Sequence, residues 1–241
     1  MPKMDARVAR ASLQQTAGPG GDARLSKADQ VHAALKQAIT RGELAPGAAI
    51  DKAALCLRFG VSRLPVTTAI HRLAYEGLVQ VEPQRGSYVS RIRLDDVRQW
   101  MLARRAIEAE VAAEAARRLS AEALDGLAHN LRYQQAAVAG EDLDGFLELD
   151  VAFHLLLTTG LGLNRVGETL DALRVHLDRV RRLLLPEPGR MAATLAEHRA
   201  ILDAIAAGKP AAADRAMRRH IGLVSRGLVA FERDHPDFFG P

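Results

Sequence analysis

Between Asp51 and Ile92 the chain carries two short helical patterns hinged on a glycine, then an alternating run folded on a tight turn, and few folds accommodate that succession. Asp51 can cap a short helix carrying Ala54, Leu55 and Phe59, which Gly60 ends. Ser62 can cap a second, with Pro65 in its first turn and Val66, Ile70, Leu73 and Ala74 facing inward until Gly77. Two helices joined by a glycine-containing turn are a helix-turn-helix. Leu78-Val79-Gln80-Val81-Glu82 and Ser87-Tyr88-Val89-Ser90-Arg91-Ile92 alternate in polarity on either side of Pro83-Gln84-Arg85-Gly86, which predicts a β-hairpin directly after it, a wing. Ahead of both, Val31, Leu35, Ala38 and Ile39 share one face of a helix that begins near Leu25 and stops at Gly42.

Beyond Leu94 the strand signals cease. Amphipathic segments run over about 95–119, 121–139, 142–160, 163–185, 190–207 and 209–233, divided by Gly140, Gly160-Leu161-Gly162, Pro186-Glu187-Pro188-Gly189 and Gly208-Lys209-Pro210. These predict an all-α antiparallel bundle of about six helices. Aromatic residues make up only 4% of the chain, which suits a mainly α protein. The expected organisation is a flexible tail over 1–23, a winged helix-turn-helix domain over 24–93, a helical domain over 94–234 and a C-terminal tail over 235–241. The first tail is polar, aperiodic and contains Gly18-Pro19-Gly20-Gly21.

Charge is unevenly spread: residues 1–95 hold 14 basic and 8 acidic side chains, the remainder 19 and 21. A basic excess at the front suits a module that meets phosphates, joined to one that does not. The single cysteine, Cys56, excludes an internal disulfide framework and any multi-cysteine metal site, and its helical setting beside Leu55 predicts a buried small residue. No stretch reaches the roughly 18–20 apolar residues of a membrane span, and the start lacks the apolar core of a signal peptide, so no membrane partner and a cytoplasmic location are expected.

Several runs resemble the GntR family of bacterial regulators. Ile39-Thr40-Arg41-Gly42-Glu43-Leu44-Ala45-Pro46-Gly47 is similar to the family's junction between its first two helices. Gly60-Val61-Ser62-Arg63-Leu64-Pro65-Val66 with Leu73-Ala74-Tyr75-Glu76-Gly77-Leu78-Val79 is similar to its recognition helix, and Gln84-Arg85-Gly86-Ser87-Tyr88-Val89 to its wing. The rest resembles the FadR-type subfamily, whose effector domain is called FCD, through Arg104-Arg105-Ala106-Ile107-Glu108, Asp150-Val151-Ala152-Phe153-His154, Glu197-His198-Arg199-Ala200-Ile201 and Met217-Arg218-Arg219-His220. The resemblance implies a homodimeric, sequence-specific transcriptional repressor, a palindromic double-stranded DNA operator, and modulation of binding by a small-molecule effector.

A recognition helix lies in the major groove, where side chains near its N-terminus reach base edges. Arg63 is the leading base reader, since it can offer a bidentate fork to guanine. Ser62, Thr67, Thr68, His71 and Arg72 share its exposed side, Lys52 sits near the start of the preceding helix, and Arg85 and Gly86 form a wing tip suited to the backbone or minor groove. The family commonly carries arginine then glutamate where this chain has Thr67 and Thr68, and often arginine in place of His71. Threonine cannot reproduce a guanidinium fork, so a different operator is expected.

Asp150 and His154, four apart on a helix, project from one face at chelate spacing, although each of the helical histidines also suits a hydrogen-bonded core role. The resemblance adds that Asp150, His154, His198 and His220 match the family's metal ligands. Three imidazoles and a carboxylate suit zinc, nickel, cobalt or manganese better than calcium or magnesium. Arg104 resembles the family arginine that helps bind an effector carboxylate; an ion pair with Glu108, one turn on, is the alternative. Asn164 is a candidate for polar effector contact or for the cap of the helix beginning there. An enzyme is not expected: open metal positions can activate water, but His-Glu-x-x-His is absent and Glu197 beside His198 is not by itself a positioned base. The remaining alternative is an architectural DNA-binding dimer without an effector.

Overall fold

The computed structural model describes residues 25–184, 189–234 and 236–240. The tail expected over 1–23 and the Pro186–Pro188 breaker lie outside the described residues. The chain divides into two compact units, residues 1–93 with 235–241, and residues 94–234.

In the first unit, α1 (Lys27–Thr40) is capped by Ser26, whose hydroxyl oxygen accepts from the Asp29 amide at 3.1 Å. Its buried residues are the expected Val31, Leu35, Ala38 and Ile39. They pack on α3 (Arg63–Tyr75), the second helix of the helix-turn-helix, whose buried face is Val66, Ala69, Ile70 and Leu73. Ala69 replaces the expected Ala74, which is half-buried: three residues on from Val66, Ala69 lies nearer the centre of the stripe. Between them α2 (Lys52–Phe59) is capped by the Asp51 carboxylate, which accepts from the amides of Ala53 and Ala54. Gly60 ends α2 in the left-handed region at φ 60°, which favours glycine, and Leu55 anchors the helix in the core. Cys56 is half-buried rather than buried, because it sits one residue off the Leu55 face of a short helix. Polar ties fix α3 against α1: Glu76 pairs with His32 at 2.5 Å and Lys36 at 2.9 Å, and Arg72 with Asp29 at 2.5 Å.

The wing is an antiparallel pair, β1 (Val79–Glu82) and β2 (Gly86–Val89), in the register Val79 to Val89 and Glu82 to Gly86. Two features extend it beyond the expected hairpin. Segment 47–50 pairs with β2: the Gly47 amide donates to Val89 O, the Val89 amide to Ala48 O and the Ile50 amide to Ser87 O. The stretch expected as a C-terminal tail also belongs to this unit. Pro236–Phe238 forms a short 3-10 turn, Phe239 makes a parallel bridge with Ile92, and Phe239 is buried. The Ile92 amide donates to Phe238 O at 2.9 Å and the Gly240 amide to Ile92 O at 3.0 Å. Backbone groups beside the wing thus find partners remote in sequence.

The second unit contains α4 (Leu94–Arg118), α5 (Ala121–Ala139), α6 (Leu143–Gly160), α7 (Asn164–Leu184), α8 (Arg190–Ala206) and α9 (Pro210–Asp234). This is the expected bundle of about six helices, with ends within a residue or two of the punctuation. Helix α4 packs chiefly along α9, α5 along α6, and α8 against α9 and α5. Phe146, Phe153, Leu127, Leu157 and Leu177 are fully buried. Gly160 closes α6 where a Cβ would stand 2.9 Å from Ala123 Cβ and Leu119 Cδ1, so this close approach admits no side chain. Among the described residues no single helix is long and apolar enough to cross a membrane.

Candidate functional site

Three helices deliver one potential ligating group or more to the centre of the bundle. Asp150 and His154, one turn apart on α6, meet His198 of α8 and His220 of α9; all four are buried, and their ligand atoms lie within 4.8 Å of one another. The Nε2 atoms of His198 and His220 are 3.3 Å apart, those of His220 and His154 3.2 Å, and Asp150 Oδ1 is 3.5 Å from His198 Nε2. Phe153 stacks on His198 at 4.3 Å between ring centroids, a wall that fixes the imidazole plane.

The opposite edge of each ring meets an acceptor. His154 Nδ1 lies 2.5 Å from Glu108 Oε2, His198 Nδ1 2.8 Å from Gln134 Oε1, and His220 Nδ1 2.8 Å from Glu197 Oε2. Gln134 is held in that orientation by donating to Asn130 Oδ1 at 2.7 Å, while Asn130 donates to Leu149 O. These partners place each proton on Nδ1 and leave three Nε2 lone pairs facing one another. Lone pairs at such separations repel unless a cation lies among them. For metal–nitrogen bonds of about 2.0–2.1 Å, ligand nitrogens in tetrahedral or octahedral geometry stand about 3.0–3.4 Å apart, so these residues fit a metal ion.

Electrostatics set the same protonation states. Burial pushes the His154 imidazole down to about 4, with Glu108 opposing it. Burial, then the neighbouring His220, hold His198 well below its ordinary value. Burial works against ionisation of Asp150, yet the Arg181 guanidinium and the adjacent imidazoles hold its carboxyl well below the usual range. Neutral imidazoles beside an ionised carboxylate are the ligating forms.

Arg104, on α4, is 2% exposed and pairs through Nε with Glu108 Oε1 at 2.5 Å. The ion pair weighed from sequence is therefore present, yet Arg104 Nη2 has no hydrogen-bond partner among the described residues. Asn164 is exposed on the first turn of α7 and is not among these buried groups. Sequence reasoning missed Gln134, the pairing of Glu197 with His220, and the three buried arginines of α7, Arg174, Arg179 and Arg181. In the Arg-rich run 174–182 only the spacing of Arg174, Asp178 and Arg181, at i, i+4 and i+7, signals a shared face.

On the first unit, Ser62 and Arg63 are exposed at the start of α3, and the Ser62 hydroxyl makes no cap bond, contrary to its expected capping role. Thr67, Thr68, His71 and Arg72 line a shallow groove of about 540 Å³ together with Leu64 and Tyr75. Thr67 is half-buried, Thr68 and His71 are exposed, and Arg72 is engaged by Asp29. Lys52 is exposed at the start of α2; Arg85 and Gly86 are exposed at the wing tip, where Arg85 pairs with Glu82 at 3.1 Å. Leu64, 74% exposed within the groove, was not singled out in the sequence.

A helix-turn-helix with a wing, followed by a helical bundle that encloses a His and Asp cluster, defines a class of two-domain transcriptional regulators. The chain belongs to the GntR family: residues 27–89 match the model of the bacterial regulatory proteins, gntR family, and residues 99–223 that of the FCD domain. It is 34% identical over 210 residues to the HTH-type transcriptional repressor RspR of Escherichia coli, covering 87% of this chain and 92% of that one. It is 37% identical over 209 residues to an HTH-type transcriptional regulator of Streptomyces ambofaciens, covering 87% and 88%. Among solved structures, a GntR transcriptional regulator from Rhodococcus sp. RHA1 shares the fold with a TM-score of 0.73 at 24% identity, over 86% of this chain and 99% of that one.

Proposed function

We propose that this regulator is a cytoplasmic homodimeric repressor whose affinity for a palindromic operator is set by a carboxylate effector bound at a divalent transition metal. The metal would be zinc, nickel, cobalt or manganese, held by Asp150, His154, His198 and His220. The convergence of three Nε2 atoms, each on a ring whose Nδ1 is engaged from behind, carries this reading. A bound metal would supply Lewis acidity toward an anionic oxygen. The chain's own residues do the rest: Glu108, Gln134 and Glu197 orient the imidazoles, Phe153 and its apolar neighbours keep water out, and Arg104 offers Nη2 to the effector carboxylate. Asn164 is the candidate polar contact for an effector that reaches the start of α7.

In the first unit, Arg63 reads a guanine in the major groove, with Ser62, Thr67, Thr68, His71 and Arg72 beside it, while Lys52, Arg85 and Gly86 meet the backbone or minor groove. Repression is favoured by the relative RspR, which is named a repressor. An effector with different affinities for two arrangements of the dimer shifts the operator-competent population by that difference. Metal analysis of purified protein tests the sensing half. His154→Ala with His198→Ala is expected to lose the metal while keeping helical circular dichroism; equal metal content in variant and wild type refutes the site.

A further inference from the structure

Helix α3 presents to solvent two large apolar side chains that its core does not use: Leu64 is 74% exposed and Tyr75 95%. Leu64, Thr67, Thr68, His71 and Tyr75 follow one another at i, i+3, i+4, i+7 and i+11, a single stripe on the side of α3 opposite the buried Val66, Ala69, Ile70 and Leu73. All five line the shallow groove described above. The charged groups at its edge are engaged elsewhere, Arg72 by Asp29 and Glu76 by His32 and Lys36. Toward its start the groove therefore offers carbon, the branched end of Leu64 with a methyl group from each threonine.

Folding gives no reason for a leucine at this position. So exposed, it anchors no core, and alanine is the better helix former. Its place supplies one. Leu64 is the second residue of α3, next to the exposed Arg63, in the turn from which a helix seated in the major groove reaches base edges. Leucine carries neither donor nor acceptor. Against guanine, adenine or cytosine it would strip water from polar edge atoms and return no hydrogen bond. Thymine alone presents an apolar group in that groove, its 5-methyl.

We propose that Leu64 is a specificity-determining residue that reads the 5-methyl group of a thymine within two base pairs of the guanine met by Arg63, since adjacent residues stand about one base-pair step apart. This rests on the reading above in which α3 enters the major groove. The test uses full-length protein and a duplex selected from a random library, each thymine being replaced in turn by deoxyuridine, which deletes only the methyl. At one thymine of a half-site the replacement is expected to weaken wild-type binding about fourfold. Leu64→Ala is expected to weaken binding to the unmodified duplex by a similar factor and to respond less than about twofold to deoxyuridine at that position, with responses elsewhere unchanged. Leu64→Met, which keeps an apolar contact, is expected to retain the response. No thymine whose methyl matters, a response that survives in Leu64→Ala, or a variant that weakens thymine and uracil duplexes equally, as for a leucine packed on sugar and phosphate, overturns the proposal. Arg63→Ala is titrated on the same duplexes. If it relaxes base preference while deoxyuridine has no effect, this proposal alone falls. A library that yields no preferred duplex, or a preference untouched by both alanine variants, removes α3 as the reader and this proposal with it. A deoxyuridine response that acts through Leu64 while Arg63→Ala is neutral removes the guanine assignment alone.

Discussion

Arg63 and His154 show how much a single side chain can carry here. Arg63 stands free at the start of α3, where a fork can meet a guanine edge, whereas Arg72 on the same helix is tied to Asp29. Arg63→Ala is expected to weaken binding to an operator selected from a random library by about 1–3 kcal/mol and to relax preference at one base pair. Arg72→Ala is expected to cost less in DNA binding; the reverse order in a binding titration reassigns the reader. His154 ties the bundle's stability to pH. Its folded value of about 4 lies below the 6.5 of a free imidazole, so the unfolded chain binds more protons between them. Stability from keeping the ring neutral is fully present above about pH 6.5 and drains away as pH falls through 4. The depressed carboxyls of Glu108 and Asp150 act in the same direction at still lower pH. Metal-free protein is therefore expected to melt at progressively lower temperature from pH 7 to pH 4, and a flat profile in thermal melts contradicts this.

At the scale of elements, what the sequence reveals depends on whether an element's partner is local. The α1 face of Val31, Leu35, Ala38 and Ile39, the Asp51 cap and the wing hairpin are written in neighbouring residues and were legible. Segment 47–50 was not, because its partner is β2, across the helix-turn-helix, and its own pattern is Gly47-Ala48-Ala49. Phe239 was not either, because its partner Ile92 lies across the whole bundle in sequence. At the candidate metal centre, the grouping of Asp150, His154, His198 and His220 was legible through family resemblance and the chelate spacing of Asp150 and His154. Arg174 and Arg181 were not, since arginines on an amphipathic helix read as solvated until the facing helices are known. Two element-level outcomes follow. Gly160→Ala places a methyl 2.9 Å from Ala123 Cβ, and the overlap outweighs alanine's better helix propensity. A net loss of about 1 kcal/mol is expected in denaturant melts. Phe239→Ala is expected to lower hydrogen-exchange protection at the Ile92 amide, which donates to Phe238 O, while amides of α6 keep theirs.

Across the whole molecule, the two units divide labour by charge. The front of the chain carries the basic excess that phosphates require, whereas the bundle buries several of its arginines, Arg104, Arg174, Arg179 and Arg181. A ligand that binds only the folded bundle stabilises it by mass action, about 4 kcal/mol when free metal exceeds its dissociation constant a thousandfold. Chelation is expected to lower the bundle's melting temperature by several degrees, with re-addition of nickel or zinc restoring it; no change on chelation of metal-containing protein contradicts a buried site. The return of residues 236–240 to the winged unit makes the bundle an insertion, tethered to its DNA-reading unit at both ends rather than appended at one. A biosensor that grafts this reading head onto a foreign sensor must therefore transplant two pieces of chain.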